Sequence, residues 1–193
     1  MNIEILYIAI YSYVLGSIPF GLILTKIFLN KDLREMGSGN IGTTNVLRTG
    51  KKSLSALTLI LDGLKAYISV VITLDYFADY IYLSALLCLL GHIFPVWLKF
   101  KGGKGVAVYL GILFSFSINL GIIFLISWII ILYLYKYSSL SSLISTLVIF
   151  LYSIILKNFN ESLFFFIILI IVIYTHAGNI IRLKNKTESK IKF

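Results

Sequence analysis

The segment Gly37-Ser38-Gly39-Asn40-Ile41-Gly42-Thr43-Thr44-Asn45-Val46-Leu47-Arg48 concentrates groups that bind anions. Glycines let backbone N–H groups turn inward and approach a negative charge closely. Ser38, Asn40, Thr43, Thr44 and Asn45 add neutral donors, and Arg48 adds a planar fork matched to phosphate. The run also contains a formal G-x-G-x-x-G. A dinucleotide site fails here, because that fingerprint follows a strand inside a βαβ unit and an apolar helix precedes this one. A glycine-rich turn with capping polar residues is the plainer alternative. The density of donors argues against it.

A second segment runs from Gly91-His92 through Lys99-Phe100-Lys101-Gly102-Gly103-Lys104-Gly105. It fails the Walker A pattern, which requires Gly at position 98 and Ser or Thr at 105, where this chain has Leu98 and Gly105. Gly102, Gly103, Lys104 and Gly105 nevertheless open an apolar helix, and a helix start flanked by glycines is suited to an anion. Lys104 would add a full charge there. An interfacial anchor explains Lys99 and Lys101 well but not three glycines around one lysine.

The third segment, His176-Ala177-Gly178-Asn179, ends the last apolar stretch. His176 and Asn179 lie three apart and share a helix face. Asp62 and Lys65 interrupt another apolar stretch, where each costs about 2.5–3.5 kcal/mol at a helix centre. Their i,i+3 spacing permits a structural ion pair, and a substrate contact is equally open.

These segments need a scaffold, and composition says what kind. Of 193 residues, 59% are hydrophobic and 13% charged; mean hydropathy is +0.97. A soluble domain carries about 25% charged residues. Apolar stretches run Ile3–Thr25, Leu54–Leu74, Tyr80–Leu98, Val106–Ser117, Leu120–Tyr135, Leu140–Leu156 and Leu163–Ile181. The sequence therefore predicts an all-α integral membrane protein of about seven transmembrane helices, in one domain over 1–193. The fourth and fifth stretches are read as a tight hairpin broken near Ser117. The first, with no positive region or cleavage site around it, reads as a retained helix.

With the N-terminus outside, 15 of the 17 Lys and Arg residues fall in cytoplasmic loops. Only Lys157 falls outside and Lys65 within a span. The positive-inside rule thus orients the chain. The net charge of +9 reflects topology rather than nucleic-acid binding. Lone Cys88 excludes an intrachain disulfide. Residues 183–193 read as a basic, flexible tail. All three segments fall on the cytoplasmic face.

Taken with Gly16-Ser17-Ile18-Pro19-Phe20-Gly21, Asp62-Gly63-Leu64-Lys65, Ser138-Ser139-Leu140 and Asn179-Ile180-Ile181-Arg182-Leu183, these segments resemble the bacterial acyl-phosphate:glycerol-3-phosphate acyltransferases, the PlsY family. The resemblance spans nearly the whole chain. It implies a seven-helix enzyme of the bacterial plasma membrane with a cytoplasmic active site. The implied reaction moves a fatty acyl group from acyl phosphate to the sn-1 hydroxyl of glycerol 3-phosphate, giving lysophosphatidic acid and phosphate for phospholipid synthesis. Ser38, Arg48, Lys104, His176 and Asn179 carry over as catalytic residues. Substrate contacts are expected from Gly37, Gly39, Asn40, Asn45, Asp62, Lys65, His92, Gly102, Gly103 and Gly105. A serine after the fifth helix joins them, and Ser139 and Ser142 both fit. Thr43 stands where the family usually has Ala, Lys136 where Arg is common, and Lys186 where Gly commonly precedes Thr-Glu. No metal or cofactor is called for. A monomer is expected, linked functionally to an enzyme that makes acyl phosphate.

A His-x4-Asp pair is missing: Trp97 follows His92, and Ile181 follows His176, at that spacing. An acyl phosphate is already an activated anhydride, so positioning and charge stabilisation suit it better than a strong base. His176 and a substrate phosphate oxygen are both candidate proton acceptors. A small anion transporter is the rival reading. It predicts charges in several spans and internal repeats, and neither is seen.

Overall fold

A computed structural model describes residues 3–156 and 159–191. The loop at Asn158, with Lys157, and Lys192 in the tail lie outside the described residues. Ten α-helices follow in order: α1 Ile3–Gly16, α2 Phe20–Leu29, α3 Thr43–Leu47, α4 Lys52–Tyr76, α5 Ile81–Ile93, α6 Val106–Phe116, α7 Ile118–Tyr135, α8 Ser138–Ile155, α9 Phe159–Thr175 and α10 Ala177–Lys184. The described residues contain no strand. Five stretches are long and apolar enough to cross a membrane: Ile3–Leu29, Lys52–Tyr76, Ala78–Leu98, Ile118–Tyr135 and Ser138–Ile155. α9 and α10 together make a sixth, bent by 63°. With α6, the expected seven apolar segments are all helical. α6 has 11 residues, or about 16 Å of helix, roughly half a hydrocarbon core. By its own length it does not cross.

Where the sequence suggests one domain, the helices cluster into two compact units, Met1–Phe116 and Ser117–Phe193. In the first, α4 packs against α1, α2, α3, α5 and α6, and α1 packs on α5. Proline breaks the first span. Pro19 has no N–H to continue a helix and restricts Ile18 before it, so α1 stops at Gly16 and α2 starts at Phe20. Backbone carbonyls freed by such a break need partners inside a membrane. Trp97 Nε1 donates to Ser17 O at 2.8 Å and Lys65 Nζ to Ile18 O at 2.7 Å. Hydroxyls tie the same helices together: Ser84 Oγ shares hydrogen bonds with Ser12 Oγ at 2.9 Å and Ser69 Oγ at 3.1 Å.

Glycine permits the two closest crossings. A methyl on Gly16 would strike the Cys88 carbonyl where α1 meets α5, and one on Gly111 would strike the Gly63 carbonyl where α4 meets α6. Small residues at such contacts let membrane helices approach to backbone distance.

In the second unit α8 packs between α7 and α9, and α10 rests on both α8 and α9. The segment expected to be a flexible tail is instead tied down where it is described. Thr187 N donates to Arg182 O at 2.8 Å, and Ile191 N donates to Lys136 O at 2.8 Å.

Gly111→Val should destabilise the detergent-solubilised protein by about 1–3 kcal/mol, as overpacking does, and lower its unfolding midpoint by several degrees. Gly178→Ala should leave the midpoint unchanged, since only Arg182 Nη1, at 3.5 Å, approaches a methyl there. Equal midpoints for both variants would show that the α4–α6 approach does not matter.

Candidate active site

The loop between α2 and α3 is wound around one buried amide. Asn45 is 2% exposed. Its Nδ2 donates to Leu33 O, Met36 O and Asn40 O at 3.1, 2.9 and 2.8 Å, and its Oδ1 accepts from Ser38 N at 3.0 Å. Asn45 is therefore a loop-former, its amide hydrogen-bonded within its own loop. A small core of Leu22, Leu33, Ile41, Val46 and Leu54 lies beneath. Asp32 starts the turn that carries Leu33 into this core, accepting from Arg34 N at 3.0 Å. Hydrogen bonds from Arg34, side chain first, hold the Asp32 carboxyl well below the usual carboxylate range.

The backbone amides expected to form an anion nest are partly consumed. Gly39 N donates to Met36 O at 2.9 Å, and Gly42 N to Asn40 Oδ1 at 2.9 Å. With Ser38 N given to Asn45, three amides serve the loop itself. Gly37 and Gly39 supply positive φ values of 54° and 70°. A methyl on Gly37 would hit the Asn45 amide and come within 3.3 Å of Arg48 Cδ. So Arg48 Cδ lies close to Gly37. Both Ser38 and Arg48 are exposed. With three amides used, the exposed side chains become a larger part of what this loop offers. Thr43 Oγ1 is shielded and finds no hydrogen-bond partner among the described residues, in keeping with the family's usual Ala there.

The α5–α6 loop departs from expectation in the same way. Gly102 N donates to Ile93 O at 2.9 Å and Gly103 N to His92 O at 3.0 Å. These amides satisfy the carbonyls at the C-terminus of α5, groups that every helix end leaves without an internal partner. The glycines let the loop fold that closely: a methyl on Gly102 would strike His92 O, and one on Gly103 the His92 ring. Gly105, at φ 84°, turns the chain into α6. Lys104 is half-buried on this loop. Asp62, Lys65 and His92 are brought together, but inside the helix cluster: Lys65 Nζ donates to Asp62 Oδ1 at 2.7 Å and lies 3.0 Å from His92 Nδ1. All three are at most 4% exposed. They make an internal network.

In the second unit His176 occupies the bend between α9 and α10. It is buried, with Nδ1 2.8 Å from Val172 O. A carbonyl can only accept, so Nδ1 carries a hydrogen, and in a neutral ring Nε2 is then the acceptor nitrogen. Asn179 Nδ2 donates to Glu188 Oε1 at 2.6 Å, Ser139 Oγ to Glu188 Oε1 at 2.9 Å, and Arg182 Nε to Glu188 Oε2 at 2.7 Å. Ser142 belongs elsewhere: it accepts from Trp128 Nε1 at 3.1 Å and donates to Ser138 O. Of the two serines, Ser139 is the one beside Asn179. Of Glu188 the sequence reading took only the Thr-Glu that follows Lys186, and gave it no role.

This is an all-helical integral membrane protein whose loops present Ser38, Arg48 and Lys104 in one unit and a buried histidine beside an Asn–Ser–Glu–Arg cluster in the other. The glycerol-3-phosphate acyltransferase family profile matches residues 6–186. A glycerol-3-phosphate acyltransferase from Pelagibacter ubique (strain HTCC1062) is 56% identical over 189 residues, covering 98% of both chains. One from Wolbachia pipientis wMel is 49% identical, covering 95% of this chain and 96% of its own. The crystal structure of PlsY, an integral membrane glycerol 3-phosphate acyltransferase, in its glycerol 3-phosphate form matches with a TM-score of 0.93 at 35% identity. That match covers 98% of this chain and 96% of the other. The lysophosphatidic acid form matches at 0.90 and 34%. The chain belongs to the glycerol-3-phosphate acyltransferase family.

Burial pushes the Glu188 carboxyl up, but hydrogen bonds from Asn179, Arg182 and Ser139 outweigh it and hold the group below its ordinary value. A carboxylate depressed on folding stabilises the fold above its unfolded pKa, about 4.3, and loses that contribution as pH falls through the folded value. Protection of the Thr187 and Ile191 amides from hydrogen exchange should therefore persist at pH 6 and weaken below about pH 4. Glu188→Gln should lower it about tenfold at neutral pH, as losing a charged hydrogen bond does. Unchanged protection in Glu188→Gln would mean the carboxylate does not anchor the tail.

Proposed function

We propose that the chain transfers a fatty acyl group from acyl phosphate to the sn-1 hydroxyl of glycerol 3-phosphate, releasing lysophosphatidic acid and inorganic phosphate. The observation that carries this is that Ser38 and Arg48 are both exposed on one loop, with Arg48 Cδ 3.3 Å from where a methyl on Gly37 would lie and Asn45 hydrogen-bonded to the Ser38 amide. A guanidinium fork with a neighbouring hydroxyl is a phosphate-orienting arrangement, and both substrates carry phosphate. Lys104 supplies a charge for the second one. Attack by the acceptor hydroxyl oxygen forms a C–O bond to the acyl carbon. The bond from that carbon to the phosphate oxygen breaks, and its electron pair leaves with phosphate. The hydroxyl proton passes to a phosphate oxygen, with His176 the second acceptor that the family resemblance implies. Asn179 and Ser139, fixed by Glu188, offer neutral hydrogen bonds for orienting substrate. The lipid-facing apolar helices hold the acyl tail.

The donor is set by chemistry and space. A compact phosphate fits loops that offer a few side chains, whereas coenzyme A needs room for adenine, ribose and further phosphates. A mixed anhydride also leaves more readily than a thioester, which suits a site without a His–Asp pair. An enzyme producing acyl phosphate is the functional partner, and the site faces the cytoplasm of a bacterial cell.

Purified protein should make lysophosphatidic acid from acyl phosphate and glycerol 3-phosphate, and none from acyl-CoA at matched chain length. Lys104→Ala and Arg48→Ala should each slow turnover by about one to two decades, the equivalent of a charged hydrogen bond, with the fold intact. Lys31→Ala should change little. Comparable product from acyl-CoA would sink the donor assignment, and normal turnover in Lys104→Ala the phosphate assignment.

Orientation is tested through α4 alone, which separates Gly50 from Asp79. In a Cys88→Ala background, an impermeant thiol reagent added to intact cells should label Asp79→Cys and spare Gly50→Cys. The reverse pattern would invert the topology.

A further inference from the structure

The Asp62–Lys65–His92 network lies within helices yet ends against the loop that carries Lys104. Lys65 has three ammonium hydrogens and three acceptors: Ile18 O at 2.7 Å, Asp62 Oδ1 at 2.7 Å and His92 Nδ1 at 3.0 Å. An ammonium group cannot accept. His92 Nδ1 therefore accepts, and the imidazole is neutral with its hydrogen on Nε2. The ring has one orientation fixed by this contact. Its far edge packs on Gly103: a methyl there would overlap Nε2 and lie 2.8 Å from Cε1 and 2.9 Å from Cδ2. The backbone of the same residue grips the same glycine, with Gly103 N donating to His92 O at 3.0 Å. Gly103 is thus clamped from two sides by one residue, and Lys104 is the next in the chain.

We infer that His92, oriented by Lys65 and Asp62, is a positioning residue that sets the turn at Gly103 and so the direction in which Lys104 leaves the loop. Apolar side chains could fill the same volume without placing three polar groups among membrane-spanning helices. What they could not do is fix the azimuth of a flat ring against a glycine. The inference rests on the reading that Lys104 holds a substrate phosphate.

The test is a kinetic double-mutant cycle on the purified full chain with acyl phosphate and glycerol 3-phosphate. Gly103→Ala should raise the KM of one phosphate substrate about tenfold, because the methyl meets the ring and displaces the turn. His92→Asn keeps an oxygen where Nδ1 accepts from Lys65 and removes Nε2 and Cε1. Alone it should raise the same KM severalfold with kcat nearly unchanged. Combined with Gly103→Ala it should bring KM below that of Gly103→Ala alone, since the methyl then has room. Lys65→Met should raise the same KM and add nothing further to His92→Asn. Multiplicative effects in the double variant, or unchanged KM values in both His92→Asn and Lys65→Met, would overturn the inference. So would loss of the thermal unfolding transition in both, which would make the cluster purely structural. If Lys104→Ala itself leaves both KM values normal, the phosphate reading has failed; if only the His92 and Lys65 variants are silent, that reading stands and the positioning role falls.

Discussion

An ammonium group among membrane-spanning helices must hand each hydrogen to an acceptor, because no water is there to take it. Lys65 meets that demand with acceptors from three different elements: the carbonyl of Ile18 at the break between α1 and α2, Asp62 one turn back on α4, and the His92 ring near the end of α5. None of the three can move without leaving a charge or a carbonyl unsatisfied. The cation and the proline break also need each other. The break at Pro19 leaves the Ile18 carbonyl outside the helix ladder, where Phe20 N at 3.2 Å and Lys65 Nζ at 2.7 Å both donate to it. Measured interhelical hydrogen bonds in membranes contribute only about 0.6–2 kcal/mol each. Removing one partner of a buried charge is a larger loss, because the other is left stranded.

The glycines work by a second constraint, which is room. Gly16, Gly91, Gly102 and Gly111 each sit where a methyl would collide with the carbonyl oxygen of a residue distant in sequence. Close approach of backbone to backbone is thus the common use of glycine in the first unit. At Gly102 it lets the loop return its amides to the end of α5, and at Gly103 it seats the His92 ring. The same residues that look made for an anion are used to bring protein against protein. Those contacts hold the exposed side chains of the same loops in place.

The sequence reading succeeds where the signal is local and fails where it depends on distant partners. Apolar length predicted the helices, and the i,i+3 spacing permitted the Asp62–Lys65 pair that is seen. Ile18 and His92, 47 and 27 residues from Lys65, carried no local mark of their role. The amides of Gly39, Gly102 and Gly103 were expected to face an anion because glycine spacing for approaching a phosphate and for approaching a carbonyl is the same. Only the fold says which oxygen is nearby. Asn45 makes a related point. Its amide looked like a free donor, and nothing in sequence shows that it satisfies three carbonyls of its own loop.

Glu188 shows how charge context can hide a functional group. In sequence it is one acid among lysines, and the segment reads as solvated and mobile. In the structure its two oxygens collect hydrogen bonds from Ser139, Asn179 and Arg182. An ionised carboxylate accepts only, so it orients each of these groups by taking a hydrogen from it. For Asn179 that fixes which end of the amide is turned toward Glu188. The Nδ2 side is committed there, and the carbonyl oxygen is directed elsewhere. The polarity of Asn179 toward any ligand is therefore decided by a residue nine positions later, and a neutral glutamine in place of Glu188 could donate as well as accept and would relax that choice. The lysines around Glu188 do not compete for it in the structure, because Arg182, one of the last residues of α10, already holds its second oxygen. Bending the chain at His176 is what gives α10 its own direction, and that direction carries Asn179 and Arg182 to one carboxylate.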